Sequence, residues 1–394
     1  MRDPEVLKPL RAELDRCVKC GMCLPECPTY RLTVNENESP RGRLALIEGL
    51  VQGQIEADEA LVSHLDHCLG CRRCERVCPS QVRYGYLIDQ AQGLISDGSG
   101  SRLSSLIRRP ALLQLGTRLA RAVPTSFSEP FGRWHHLHEL ARALPASPAA
   151  PDAGEYTPQS GTVRGRVGLF AGCTGAAQQG GALQAALKLL RYAGYTVIIP
   201  TGSGCCGALS QHAGDPGSAK ALADTNRAAF DQRLDAVISI ASGCGIHIDG
   251  YQPPLPADHW DVCRFLLEHG DLDETDFSPL STTALLHTPC SVENVYRGGD
   301  WARGLLARIG DLDVVDIGEP GQCCGAAGDY MLRHPETADR LREPLLNQLA
   351  ARPGPFLLTG NVGCAMHLAT GIRAQAGETE VLHPVELLAR QLRA

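Results

Sequence analysis

The 394-residue sequence predicts an α+β protein of several domains, in which a helical N-terminal part precedes two α/β repeats with parallel sheets. Three observations favour this class. Two cysteine runs of identical spacing lie before residue 80. Beyond residue 165, one pattern of cysteines, glycines and a histidine occurs twice. Each copy alternates short apolar runs with helical stretches, which is typical of parallel sheets.

The composition indicates a globular protein, since 43% of the residues are hydrophobic and 21% are charged. The formal net charge of −7 argues against nucleic acid as a partner. The N-terminus has no apolar core, so we expect no secretory signal, and no run approaches the roughly 18 apolar residues of a transmembrane segment. We therefore predict a cytoplasmic protein, which a partner can still hold peripherally at the inner face of the cell membrane.

The chain contains 17 cysteines, an odd number. A disulfide framework explains them poorly, because the cytosol keeps thiols reduced. Metal binding or redox chemistry is the better explanation.

The two N-terminal runs share the spacing C-x-x-C-x-x-C-x-x-x-C-P. Thiolates are soft ligands, and in this spacing three cysteines hold one [4Fe–4S] cluster while the fourth binds the other cluster. Zinc sites normally use two C-x-x-C pairs instead. The predicted ligands are Cys17, Cys20, Cys23 and Cys78 for cluster 1, and Cys68, Cys71, Cys74 and Cys27 for cluster 2.

The residues between the runs predict a helical form of this two-cluster, ferredoxin-like domain, which we assign to residues 1–97. Residues 28–67 are longer than the connection in a minimal bacterial ferredoxin and include RLALIEGLVQG, which has helical periodicity. His64 and His67 precede Cys68. We expect them on a polar helix face, and the alternative is hydrogen bonding to cluster sulfurs.

The C-terminal half contains two copies of one pattern, assigned to residues 166–280 and 281–394. In each copy a cysteine follows the first apolar run, a Cys-Cys-Gly triplet follows the second, and a cysteine three residues before a histidine follows the third. Ligands of parallel sheets gather beyond the carboxyl ends of the strands, so each copy should bring four thiols and one imidazole into one crevice. These residues are Cys173, Cys205, Cys206, Cys244 and His247 in the first copy, and Cys290, Cys323, Cys324, Cys364 and His367 in the second.

The residues alone leave open what fills these crevices. Four thiolates and a histidine suit a further iron–sulfur cluster, a zinc ion or a redox-active dithiol. Cys263 lies outside the pattern, and we predict that it is an ordinary buried thiol.

Two segments separate the cysteine-rich halves. Residues 98–144 predict a helical connector rich in arginine, and residues 145–165 predict a flexible linker. We expect the connector to present an ordinary solvated face, with docking to anionic lipid or to a partner subunit as the alternative. The histidines of RWHHLH (His135, His136 and His138) have no accompanying thiols or carboxylates and are expected at the surface.

Five stretches extend the interpretation to the whole chain: CLGCRRCERVCPSQVRYGYLID, TGSGCCGALSQH, ASGCG, CCGAAGDYMLRHPETADRLR and GNVGCAMHLATG. They resemble the iron–sulfur subunits of flavin-dependent hydroxyacid oxidoreductases, and in particular that of bacterial glycolate oxidase (glycolate dehydrogenase). The resemblance is weakest over residues 98–166.

The resemblance implies an electron-transfer subunit that is not catalytic alone. In this family, separate flavoprotein subunits bind FAD and oxidise glycolate, in some members also D-lactate, to the oxoacid, which for glycolate is glyoxylate. The iron–sulfur subunit passes the electrons through two [4Fe–4S] clusters toward a quinone or membrane acceptor. The resemblance therefore implies that FAD is bound only in partner subunits.

Other families share this architecture. Iron–sulfur subunits of anaerobic glycerol-3-phosphate dehydrogenase and of lactate-utilisation systems are alternatives with another electron donor. Heterodisulfide reductases also contain CCG repeats, whose last cysteine helps to hold a non-cubane cluster. His247 and His367 occupy that position here. The third hypothesis is a disulfide reductase with catalytic Cys205, Cys206, Cys323 and Cys324.

Overall fold

The computed structural model describes residues 4–96, 108–123, 138, 141–142, 146–159 and 161–393. Within these residues, the chain forms a helical N-terminal domain followed by two mainly parallel sheets whose strands alternate with helices. The predicted α+β class is confirmed.

Residues 4–96 pack six helices around a small apolar core in which Ile47, Leu65 and Leu87 are fully buried. The third helix begins where the Ser39 side chain accepts a hydrogen bond from the Gly42 N–H. The cysteine runs lie in the connections between these helices, and Cys74 lies within the short helix α5. The helices are α1 (Pro4–Leu14), α2 (Pro28–Thr33), α3 (Pro40–Gln52), α4 (Glu59–Asp66), α5 (Arg73–Arg76) and α6 (Tyr84–Ile95).

The predicted connector is described in part. Helix α7 (Pro110–Ala122) agrees with its predicted helical character. His138 is half-buried, and its Nε2 lies 2.7 Å from the carbonyl oxygen of Ala120. His135 and His136 lie outside the described residues.

The first sheet has the strand order β1-β3-β2-β4-β5. Strands β2, β3, β4 and β5 run parallel to one another. The strands are β1 (Gly154–Tyr156), β2 (Gly165–Phe170), β3 (Tyr195–Ile199), β4 (Ala236–Ser239) and β5 (His259–Asp261).

Strand β1 corrects the prediction of a flexible linker over residues 145–165. It pairs antiparallel with β3, with Gly154 opposite Ile199. The edge of β3 offers unpaired backbone groups that a passing segment can satisfy, whatever its side chains. The prediction is wrong for these three residues.

The second sheet has the strand order β7-β6-β8-β9, and all neighbouring strands are parallel. In both copies the order is therefore second, first, third and fourth strand. The internal repeat predicted from the cysteine pattern is thus a repeat of the fold. The strands are β6 (Thr282–Leu286), β7 (Leu312–Asp316), β8 (Phe356–Leu358) and β9 (Glu380–Leu382).

Helices connect the strands of both copies, as parallel pairing requires. In the first copy they are α8 (Cys173–Gln178), α9 (Gly180–Tyr192), α10 (Ala208–His212), α11 (Pro216–Ala229), α12 (Ser242–Asp249) and α13 (Val262–His269). In the second copy they are α14 (Trp301–Leu306), α15 (Tyr330–Arg333), α16 (Pro335–Ala351), α17 (Val362–Ala374) and α18 (Pro384–Gln391).

The two repeats share one apolar core, which contains Leu169 and Leu189 from the first repeat together with Leu286 and Leu388 from the second. Helix α18 of the second repeat packs on α9 of the first, and α13 of the first packs on α14 of the second. This reciprocal packing relates the repeats as the halves of a pseudo-symmetric pair.

Candidate metal centres

The first candidate centre is a cavity beside the first cysteine run. Cys17, Cys20, Cys23 and Cys78 all line it, and Cys74 reaches its wall. The loop turns between the cysteines at Lys19 and Gly21, which both have left-handed backbone angles. The fourth cysteine of the second run therefore lies with the first three of the first run.

The second candidate centre is an adjoining cavity lined by Cys27, Cys68, Cys71 and Cys74. The four thiols are thus grouped as the predicted cluster 2 requires. The two cavities share Pro40, Cys74 and Tyr84 in their walls. These shared side chains lie between the two cavities.

Hydrogen-bond donors surround the sulfurs of the second cavity. The Tyr84 hydroxyl lies 3.7 Å from Cys68 Sγ, and the Gly70 N–H donates to the same sulfur at 3.5 Å. Burial first, and then the charge of Cys71 and Cys68, raises the pKa of Cys74 far above its ordinary value. Crowded thiols of this kind lose their protons when they bind a cation, which suits an iron–sulfur group.

A buried charged network supports the second cavity. Arg43, 1% exposed, reaches Glu38 Oε2 at 2.6 Å, and its guanidinium lines the cavity wall. His64 and His67 contact Glu38 Oε1 at 2.6 and 3.2 Å, rather than the cysteine sulfurs. The expected polar helix face is therefore a partly buried hydrogen-bond network.

Sequence reasoning missed Glu38 and Arg43. Charged residues in a helical stretch are usually solvated, so their types gave no signal of a buried pair. Burial by itself raises the pKa of Glu38. Hydrogen bonds from His67 and His64, together with the charge of Arg43, outweigh burial and lower this pKa to about 2. Glu38 is therefore an anion.

In the second repeat, the predicted thiols converge at the carboxyl edge of the sheet. Cys324 Sγ and Cys364 Sγ lie 3.0 Å apart, and Cys323 interacts with Cys290. Gly325 has φ +91°, and a Cβ there would lie 2.5 Å from the Ala338 carbonyl oxygen. Only glycine allows the Cys-Cys loop to pack so closely on α16.

The first repeat brings its four thiols together in the same way. The thiols interact in sequence, Cys173 with Cys205, Cys205 with Cys206, and Cys206 with Cys244. Gly207 repeats the left-handed conformation, with φ +97°. Each crevice therefore contains the predicted thiols.

The two predicted histidines differ. His367 Nε2 lies 3.1 Å from the Ala338 carbonyl oxygen and its Nδ1 lies 3.3 Å from Arg342 Nη1, so neither nitrogen is free for a metal. Burial lowers the pKa of His247 to about 4, which keeps its imidazole neutral. Among the described residues, no three His, Cys, Asp or Glu side chains are arranged to hold a single metal ion.

Cys263 is buried in the core shared by the repeats rather than in either cysteine crevice. Burial raises the pKa of its thiol well above the ordinary value. The prediction of an ordinary buried thiol agrees with this position.

Two adjoining thiol-lined cavities, joined to a pair of cysteine-rich parallel-sheet repeats, define an iron–sulfur electron-transfer protein. The family model of the 4Fe-4S dicluster domain matches residues 13–82. The model of the cysteine-rich domain matches residues 167–249 and 284–369. Within the part of the chain described, no helix is both long enough and apolar enough to cross a membrane.

Known proteins identify the family. The chain is 32% identical to the glycolate oxidase iron–sulfur subunit of Escherichia coli (strain K12), over 96% of this chain and 94% of that protein. It is 31% identical to the probable glycolate oxidase iron–sulfur subunit of Bacillus subtilis (strain 168), over 95% and 93%. The chain belongs to the family of glycolate oxidase iron–sulfur subunits.

A more distant relative is a component of the CoM/CoB fumarate reductase of Methanothermobacter marburgensis (strain Marburg). It is 22% identical over 95% of this chain and 72% of that protein. Relatives of this chain therefore occur in more than one kind of oxidoreductase.

Proposed function

We propose that this chain carries electrons from FAD-binding flavoprotein subunits through two [4Fe–4S] clusters toward a quinone or other membrane acceptor. The complex oxidises glycolate to glyoxylate, with D-lactate as a second substrate. The single observation that supports this most directly is the pair of adjoining cavities, which bring Cys78 to the first three cysteines of the first run and Cys27 to the first three of the second run.

In this proposal, each set of four thiolates binds one cluster. Cys17, Cys20, Cys23 and Cys78 hold cluster 1, and Cys68, Cys71, Cys74 and Cys27 hold cluster 2. Each bound cluster supplies one-electron redox chemistry. The Tyr84 hydroxyl donates to Cys68 Sγ, and this hydrogen bond would favour the more negative, reduced state of cluster 2.

The proposed domain organisation follows the same division. Residues 1–97 form the two-cluster domain, residues 98–144 connect it, and residues 145–165 lead into the repeats at 166–280 and 281–394. We place the complex in the cytoplasm, at the inner face of the cell membrane, where a quinone is accessible.

The experiment is anaerobic purification of the chain alone and together with its flavoprotein partners. About eight irons and eight acid-labile sulfides are expected from the two cubanes. Glycolate should reduce a dye only when the partners are present, and a Cys71→Ala complex should lose that activity. Dye reduction by the flavin-free chain alone would refute the proposal, and a complex that oxidises only glycerol 3-phosphate would show another donor.

A further inference from the structure

We propose that the cysteine-rich centre of the second repeat, and not that of the first, exchanges electrons with cluster 2, and that Asn294 is the positioning residue that holds the two together. This inference rests on the proposed function. It adds a third redox group and identifies the repeat that carries it.

Asn294 connects three cysteine-bearing segments. Its Nδ2 donates to the Cys71 carbonyl oxygen at 2.9 Å and to the Gly321 carbonyl oxygen at 3.1 Å. Gly321 lies two residues before Cys323, and Asn294 itself lies four residues after Cys290. One side chain therefore links a predicted ligand of cluster 2 to both cysteine loops.

The backbone around Asn294 is unusual. Residues Val292–Tyr296 form a π-helical turn, which brings the amide to the interface with the N-terminal domain. Single π-helical turns of this kind frequently occur at functional sites. Among the described residues, the buried Oδ1 of Asn294 has no hydrogen-bond partner. The unpaired oxygen costs free energy that an apolar residue would avoid. The value of an asparagine here therefore lies in the two hydrogen bonds that its Nδ2 donates.

The second-repeat thiols share an apolar cluster with the second cavity. Cys323, Cys324 and Cys364 pack with Leu69, and Cys71 lies against the same cluster. Cys323 is buried within this cluster, and Cys71 contacts it from the N-terminal domain. Both sulfurs therefore border one apolar region.

Three ion pairs lie at the edge of the contact between the N-terminal domain and the second repeat. Glu319, just before the second Cys-Cys loop, accepts from Arg31 and Arg73, each at 3.1 Å. Arg76, on α5, lies 2.9 Å from Glu293, the neighbour of Asn294. Exposed pairs of this kind contribute little energy, but three around one contact fix its register.

The first repeat lacks this connection. The position equivalent to Asn294, four residues after Cys173, is Ala177. Cys206 and Cys244 pack in an apolar cluster whose described members all belong to the first repeat. This repeat meets the N-terminal domain elsewhere, where His212 Nδ1 lies 2.8 Å from Asp89 Oδ1 on α6.

The redox step is a simple electron exchange. Cys290, Cys323, Cys324 and Cys364 would hold an iron–sulfur group that gives up one electron and is oxidised, while cluster 2, held by its own four thiolates, would accept that electron and be reduced. No bond is formed or broken, and no proton moves. The reverse step balances in the same way.

The test uses the full chain, purified anaerobically and titrated with a chemical reductant, so that it does not depend on glycolate or on the partners. EPR of the reduced protein should show a magnetic interaction between cluster 2 and a further iron–sulfur group. Cys323→Ser should abolish the interaction and leave an isolated cluster 2 signal. Cys205→Ser, at the equivalent place in the first repeat, should leave the interaction unchanged.

A matched pair of variants tests the positioning role of Asn294. Asn294→Ala should weaken the interaction and shift the midpoint potential of cluster 2, while about eight cubane irons remain. The control is Asn226→Ala, because Asn226 is equally buried and holds the first Cys-Cys loop through the Cys205 carbonyl oxygen at 2.9 Å. It should change neither quantity.

Three results would overturn the inference: iron that stays at about eight with no further signal, loss of the interaction in Cys205→Ser, or equal effects of Asn294→Ala and Asn226→Ala. If Asn294→Ala does not fold, the two cysteine variants still decide which repeat is connected. Failure of this test leaves glycolate-dependent dye reduction by the assembled complex as a separate measurement of the proposed function.

Discussion

Cys27 and Cys78 each end one cysteine run, yet each lies in the cavity of the other run. The residues just after them explain this exchange. Proline follows both cysteines, which disfavours continuation of the cysteine loop and directs the chain into the next element. Two short loops are therefore joined into one unit with two cavities.

Double variants test this crossing. Cys20→Ala combined with Cys78→Ala should remove one cubane cluster only, so that about four cubane irons remain. Cys20→Ala combined with Cys27→Ala should remove both clusters. Iron analysis and EPR of anaerobic protein measure the outcome, and Cys263→Ala provides the control with full iron. The opposite order of iron losses would show that each run holds its own cluster.

Glu38 is the second residue whose role is local. Glu38→Ala leaves the Arg43 charge buried without a partner, which should lower the free energy of unfolding by about 3–5 kcal/mol. The matched control is Glu36→Ala, which breaks an exposed pair with Arg41 and should cost less than about 1 kcal/mol. Thermal unfolding of the anaerobic protein compares the variants. Equal midpoints would show that the buried pair contributes no more than the exposed one.

At the scale of elements, each Cys-Cys loop is held against the second helix after it, beyond one short helix. The loop after β7 packs on α16, and the loop after β3 packs on α11 through Gly207, whose Cβ position lies 3.1 Å from the Ala219 carbonyl oxygen. The same contact in both repeats explains why glycine follows the cysteine pair each time. The loop conformation, rather than the thiols alone, defines the crevice.

Gly325→Ala and Gly202→Ala separate two reasons for a glycine: its left-handed backbone conformation and its lack of a Cβ atom. Both positions have φ near +90°, but a Cβ at residue 202 would have no atom within 4 Å. Gly202→Ala should therefore cost only the left-handed backbone penalty of about 1–2 kcal/mol. Gly325→Ala should cost more, because the new Cβ meets the Ala338 carbonyl oxygen, and it should also disturb the thiols beside it.

Thermal unfolding and thiol titration under denaturant-free conditions compare these variants. The wild-type protein is the reference for both. If Gly325→Ala is no less stable than Gly202→Ala, the close packing of the loop on α16 is not what selects glycine.

At the scale of the whole molecule, the two repeats are one folding unit. The core that contains Leu169 also contains Leu388, and Lys188 Nζ on α9 donates to the Ala389 carbonyl oxygen on α18 at 2.9 Å. Because α9 and α13 are covered by helices of the second repeat, either repeat alone would expose a large apolar surface.

A chain truncated after residue 280 should therefore fail to form a stable monomeric first repeat. In the full chain, amide hydrogen exchange should give α9 and α18 the same free energy of opening, since they unfold together. A truncated chain whose first repeat is folded and monomeric would contradict this prediction, as would protection of α18 that is lost well before that of α9.

Much of the fold was predictable because its signals are local. The apolar runs VGLFAG, YTVIIP, AVISIAS, TALLHT and FLLTGN correspond to β2, β3, β4, β6 and β8, which are interior strands of the two sheets. The edge strands β5, β7 and β9 were not predicted. They are short or carry charged residues, as in HWD and LDVVD, because a strand at the sheet edge needs fewer apolar side chains.

By itself, the sequence determined the chemistry of the protein: the soft thiol ligands, their grouping by fours, the internal repeat and the family. Spacing along the chain is enough for this, because a cysteine loop or a strand–loop–helix unit is built from neighbouring residues. Only the tertiary structure decided which repeat meets the second thiol-lined cavity, and that Asn294, Glu38 and Arg43 lie around it. Asn294 and Cys71 are 223 positions apart. Contacts between such distant residues depend on how whole domains pack, and no local pattern records them.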